Sequence, residues 1–155
     1  MTLNRTSLRL PEPNTPDYEL ILKAPILVCI LIAGADGSID QKEVREAIQM
    51  AQNKQWVKSN LQSFFEEFAE DFEDKLKVLL QAYPFDAKSR NDMIQAELTS
   101  LNDIFSRADP DFARSYYEML KALAQRIASS SGSIWGKITS EEARLLELPM
   151  IRKPE

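Results

Sequence analysis

Gly37-Ser38-Ile39-Asp40-Gln41-Lys42-Glu43 returns, without a gap, near the far end of the chain as Gly136-Lys137-Ile138-Thr139-Ser140-Glu141-Glu142. Both copies read as a glycine turn, a buried aliphatic, a helix N-cap and a glutamate three residues after the cap. The pairs Asp40 with Glu43 and Thr139 with Glu142 fit a capping box, in which two side chains satisfy orphan backbone N–H groups at a helix start. Each phrase follows an apolar helical run, Pro25–Ala35 or Tyr116–Ala128. The repeated unit is helix, tight turn, capped helix, which predicts an internally duplicated all-α domain.

Working outward, residues 1–16 carry three prolines and little periodicity and read as a flexible or surface-draped arm. A helix is predicted over Asp17–Gly34, with Pro25 kinking it or marking its start. A second runs from Asp40 to about Asn53. A long helix is predicted over Ser59–Ala82, where Phe64, Phe68, Phe72, Leu76 and Leu79 or Leu80 form a core stripe. Another spans Ser89–Ser106, with Met93, Ile94, Leu98, Leu101 and Phe105 inward. Asp109-Pro110 starts the next with proline at its first position, and a short capped helix covers Ser140–Leu148. Residues 17–149 thus form a single compact domain of six to seven helices, and 150–155 a frayed tail. Only four glycines in 155 residues supports helices over a turn-rich β fold.

The net charge of −5 argues against nucleic acid, whose phosphates need a basic face. With no histidine, Ser–His and Cys–His catalysis and His-ligated zinc are excluded. Cys29 is alone within an apolar run, so no intrachain disulfide forms; the expectation is a buried thiol and a cytoplasmic location. The first twenty residues lack the apolar core of a signal peptide, and the strongest apolar run, Ala24–Ala35, falls short of the roughly 20 residues a membrane span needs.

Asp36 to Glu43 matches the last eight positions of an EF-hand calcium loop, but the first two ligand positions fall on Ile32 and Gly34, whose side chains cannot coordinate. In the second copy the corresponding positions are Ser131, Ser133 and Trp135, so only Glu142 keeps a strong ligand. Ile-Ala-Gly-Ala-Asp-Gly-Ser-Ile-Asp-Gln-Lys-Glu-Val (residues 32–44) resembles the first signature of the tellurite-resistance TerB family, and the segment from Ile127 to Glu142 is similar to its second, degenerate one. The resemblance covers about Leu20 to Leu148. It implies a helical domain with internal pseudo-twofold symmetry, the two signatures facing each other, and a stress-associated role. It also implies a metal site from Asp36, Asp40, Glu43 and Glu142, holding calcium or magnesium rather than zinc. Ser131-Gly132 stands where a second Asp-Gly would be, so weak affinity is expected.

Structural duty competes with that reading. Asp40, Glu43 and Glu142 are explained by capping, and Asp36 by a turn. The run from Glu66 to Asp74 holds six carboxylates; Glu66, Glu67, Glu70, Asp71 and Asp74 would face solvent or dock a basic protein partner. Trp135 is expected to fold as a lid over the helix ends. The function expected is a non-enzymatic TerB-like domain with weak divalent-ion binding, the alternative being a protein-interaction module of the same fold without the metal. Paired carboxylates can do acid–base work, but no nucleophile or pocket accompanies them.

Overall fold

The computed structural model describes residues 15–35, 37, 39–130 and 140–154. The elements are α1 (Pro16–Ala33), α2 (Gln41–Ala51), α3 (Gln62–Ala69), α4 (Phe72–Ala82), α5 (Ala87–Thr99), α6 (Leu101–Arg107), α7 (Pro110–Ser129) and α8 (Ser140–Leu146), with 3₁₀ turns at Lys54–Trp56 and Ser59–Leu61. The chain is all-α; among the described residues there is no strand.

From Ala24 to Ala33, α1 is apolar on every side and runs through the centre. Every residue from Ala24 to Ala33 is buried, as expected of a helix without a polar face. Its main partner is α7, while α2 and α8 each touch both α1 and α7, and α4, α5 and α6 close the remaining sides. Thr15 caps α1, its hydroxyl accepting from Tyr18 N at 3.2 Å, and Pro16 lies in the first turn. The arm predicted over 1–16 therefore gives its last two residues to α1; residues 1–14 lie outside the described residues.

Pro25 neither starts nor ends α1. It has no N–H for the carbonyl of Ile21, the partner four residues earlier. The Tyr116 hydroxyl on α7 donates to that oxygen at 2.6 Å, so the helix continues with its vacated acceptor filled.

The helix predicted over Ser59–Ala82 is broken at Glu70–Asp71. Phe64, Phe68, Phe72 and Leu76 are all buried. A strict four-residue repeat drifts about 40° per step around a 3.6-residue helix, so one straight helix would swing the end of the stripe out of the core. The break resets it. The helix predicted over Ser89–Ser106 starts at Ala87, with Asp86 capping Ser89 N at 2.9 Å, and is interrupted at Ser100. Ile94, Leu98, Leu101 and Ile104 are buried, but Met93, predicted inward, is 47% exposed.

The tail predicted to fray is packed through its first residues. Ile151 is buried, and Asn102 donates to Met150 O at 3.0 Å and accepts from Arg152 N at 2.7 Å.

Candidate functional site

The first copy of the phrase joins α1 to α2. Gly34 N–H donates to Ile30 O at 2.9 Å, and Gly37 N–H to Gly34 O at 3.1 Å. Gly37 has φ +123°, a conformation that favours glycine. Asp40 is the N-cap, its Oδ1 accepting from Lys42 N at 2.8 Å and Glu43 N at 3.2 Å. The second half of the predicted box is not made: Asp40 N–H donates to Ala33 O at 2.9 Å, because the tight turn brings the last carbonyls of α1 over the start of α2. Glu43 is directed inward, only 3% exposed.

Sequence reasoning missed the residue that organises this turn. Arg90, on α5, is 4% exposed, and its Nη2 donates to Gly34 O and Gly37 O, each at 3.0 Å. Nη1 donates to Phe85 O at 3.3 Å, and among the described residues the buried Nε has no hydrogen-bond partner. Burial pulls the guanidinium pKa down, and Asp86 opposes that pull. Close approach explains Gly34: a Cβ there would lie 2.5 Å from Arg90 Nη2 and 2.8 Å from Ile39 Cδ1. A lone arginine within a polar-looking helix, distant in sequence from the turn, gives no pattern that could have disclosed this.

Of the predicted ligands, Asp36 lies outside the described residues, as do Trp135 and Thr139 of the second copy. Asp40 is committed to the cap. Glu142, on α8, is 8% exposed. Among the described residues, no group of three or more acidic, histidine or cysteine side chains is arranged to hold a metal ion. Cys29 is buried, and burial pushes its thiol far above its ordinary value.

The acidic run takes a different form from the single face predicted. Because the helix breaks, Glu66 and Glu70 do not share a continuous helix with Asp74. Glu67 accepts from the Tyr18 hydroxyl at 2.7 Å. The pairs Asp71–Lys75 at 3.3 Å and Glu73–Lys77 at 3.0 Å form on α4 as its spacing predicts. At the break, Glu70, Asp71, Glu73 and Asp74 line a depression of about 350 Å³ against Ile48 and Gln52 of the α2 end.

Asp74 also borders a second hollow, a groove of about 370 Å³ between α1 and α4. Leu22, Ile26, Val78 and Leu79 form its wall, with Glu19, Lys23 and Lys75 on the rim. Val78 is 64% exposed. Lys23 is anchored to Glu97 Oε1 at 2.7 Å, and Glu97 Oε2 accepts from the Tyr83 hydroxyl. Asp74 thus lines both the apolar hollow and the acidic one. No helix among the described residues is long and apolar enough to cross a membrane. No family model, curated protein or solved structure matches this chain.

Proposed function

We propose that this chain is a helical protein-interaction module with a TerB-like arrangement, binding a basic segment with spaced aliphatic side chains. The observation that carries this reading is the apolar α1–α4 groove, which shares Asp74 with the acidic depression at the α3–α4 break. Exposed apolar surface of this kind marks binding sites on otherwise polar proteins. Neighbouring carboxylates favour a cationic partner and repel an acidic one. The module is assigned no catalytic step, and the shielded Cys29 thiol fits a cytoplasmic setting.

Arg90 supports the metal-free form of the module. Its guanidinium already takes Gly34 O and Gly37 O, oxygens of the kind a hard cation seeks. A second positive charge beside it would be repelled. The test is residue-resolved NMR of the full chain with an excess of a leucine–arginine peptide. Shifts at Leu22, Ile26, Val78 and Leu79, lost in Val78→Asp, are expected; an unchanged groove would overturn the reading.

One observation favours the second reading, a weak divalent-ion site with the stress role that the TerB resemblance implies. Glu43 and Glu142, at matched positions of the two phrases, are both carboxylates buried from solvent. Carboxylate oxygens are the donors a hard cation prefers, and Asp36 belongs to the same phrase as Glu43. Titration with calcium, magnesium and manganese decides: flat spectra at millimolar ion remove this reading.

A further inference from the structure

We propose that the groove takes Phe85 from a second copy of this chain, so that the protein pairs with itself through two exchanged phenylalanines. The proposal rests on the interaction-module reading of the α1–α4 groove and names a first occupant for it. Among the described residues Phe85 is 99% exposed. The groove wall of Leu22, Ile26, Val78 and Leu79 bounds an apolar hollow of about 370 Å³. Hollows of about 300–1,000 Å³ take whole small-molecule ligands, so a phenyl ring fits.

Local geometry makes Phe85 a fixed knob. It stands just before Asp86, the N-cap of α5. An apolar residue at that place often packs against the fourth residue of the helix. Here that residue is Arg90, whose guanidinium is drawn inward to Gly34 O and Gly37 O. The staple is not made, and the ring stays in solvent. Its backbone is nonetheless held. Arg90 Nη1 donates to Phe85 O at 3.3 Å, Asp86 caps Ser89 N at 2.9 Å, and Pro84 fixes the preceding φ. A ring on a backbone already ordered loses little entropy on binding, and aromatic side chains are enriched at interfaces.

Position and charge name the second copy as the occupant. Lys23, on the groove rim, lies 5.6 Å from the centre of the Tyr83 ring. Phe85 follows Tyr83 by two residues, about 7 Å of extended chain. Knob and hollow thus lie near one another, and a twofold axis between them brings each Phe85 to the hollow of the other copy, a closed self-complementary pair. Both edges carry both signs: Asp86 and Lys88 beside the knob, and Glu19, Lys23, Asp74 and Lys75 beside the hollow. Asp86 can meet the lysines and Lys88 the carboxylates without like charges facing. Two rings bury about 150–250 Å² each, well short of the roughly 1,200–2,000 Å² of a stable interface. The pairing is therefore weak, with a dissociation constant on the order of 100 µM, and yields to a tighter partner.

The experiment follows the full chain by sedimentation and methyl NMR from about 10 µM to about 1 mM. It includes F85S and V78D, both at exposed positions, with circular dichroism as the folding control. In the wild type the mass should rise toward that of a dimer, and the methyl signals of Leu22, Ile26, Val78 and Leu79 should shift with concentration. F85S and V78D should each weaken the pairing at least about tenfold. Labelled F85S keeps the hollow and unlabelled V78D keeps the knob, so mixing them should restore shifts at Leu22, Ile26 and Leu79. A wild type that stays monomeric, a dimer that F85S leaves unchanged, or a mixture without shifts would overturn the proposal. The leucine–arginine peptide added to F85S separates the two levels. If it shifts the groove methyls while wild-type copies do not pair, self-pairing falls and the interaction module stands; if neither occupies the groove, both fall.

Discussion

The Tyr116 hydroxyl donates to the Ile21 carbonyl at 2.6 Å, filling the acceptor that Pro25 leaves vacant inside the central helix. Both residues are fully buried, so water cannot substitute. Tyr116→Phe should cost about 1–3 kcal/mol, the usual penalty for stranding a buried polar atom. In a Pro25→Ala background the restored N–H should reclaim the carbonyl, and the Tyr116→Phe cost should shrink. A denaturant double-mutant cycle measures this coupling; equal costs in both backgrounds would reject the account.

Arg90 is held by three backbone carbonyls, two of them in the glycine turn. Arg90→Met should destabilise by about 2–4 kcal/mol, since hydrogen bonds to charged groups are the stronger kind, and Arg90→Lys should rescue little because an ammonium lacks the fork. Gly34→Ala should also destabilise and should couple to Arg90, because the added methyl enters the guanidinium's space. If the guanidinium stands where a cation would, Arg90→Met should also acquire a calcium-dependent thermal shift absent from wild type. Urea melts and calorimetry with and without calcium check both points.

Asp40 serves two N–H groups at the start of α2, so Asp40→Ala should cost about 1 kcal/mol. Glu43→Gln should fold with near-normal stability, and Glu142→Gln likewise. Under the second functional reading Glu43→Gln also loses whatever cation response the wild type has, with Glu142→Gln a weaker copy, since an amide replaces a charged oxygen donor. Retention of a full response in Glu43→Gln would show that Glu43 is no ligand.

Lys23, Glu97 and Tyr83 link α1 to α5 and to the end of α4. Burial pulls the Lys23 pKa down, but its bonds to Glu97 and Tyr83 outweigh this and raise it. Burial, then the Glu97 bond, raises Tyr83. Both folded-state values lie above the unfolded ones, so their stabilisation is complete below the unfolded values and is lost as pH rises through the folded ones. Stability should therefore fall as pH rises above about 10. Glu97→Gln should flatten that decline, as read from urea midpoints across the range.

The sequence by itself determined the helical class, because the 3.6-residue apolar periodicity and the scarcity of glycine are local properties that report on the backbone directly. It located the turn from α1 to α2 and the Asp40 cap, since an N-cap bonds only to neighbours along the chain. The ion pairs Asp71–Lys75 and Glu73–Lys77 likewise follow from four-residue spacing. Tertiary structure alone decided the rest. Pro25 is tolerated because Tyr116 arrives from α7, and Gly34 is required because Arg90 arrives from α5. The Phe64–Leu76 stripe forces a break at Glu70–Asp71 because its strict repeat must stay against one core. Each of these depends on a side chain distant in sequence or on the shape of the core. No periodicity encodes such a partner, and so the acidic depression, the apolar groove and the arginine beneath the turn emerge only when the helices are packed.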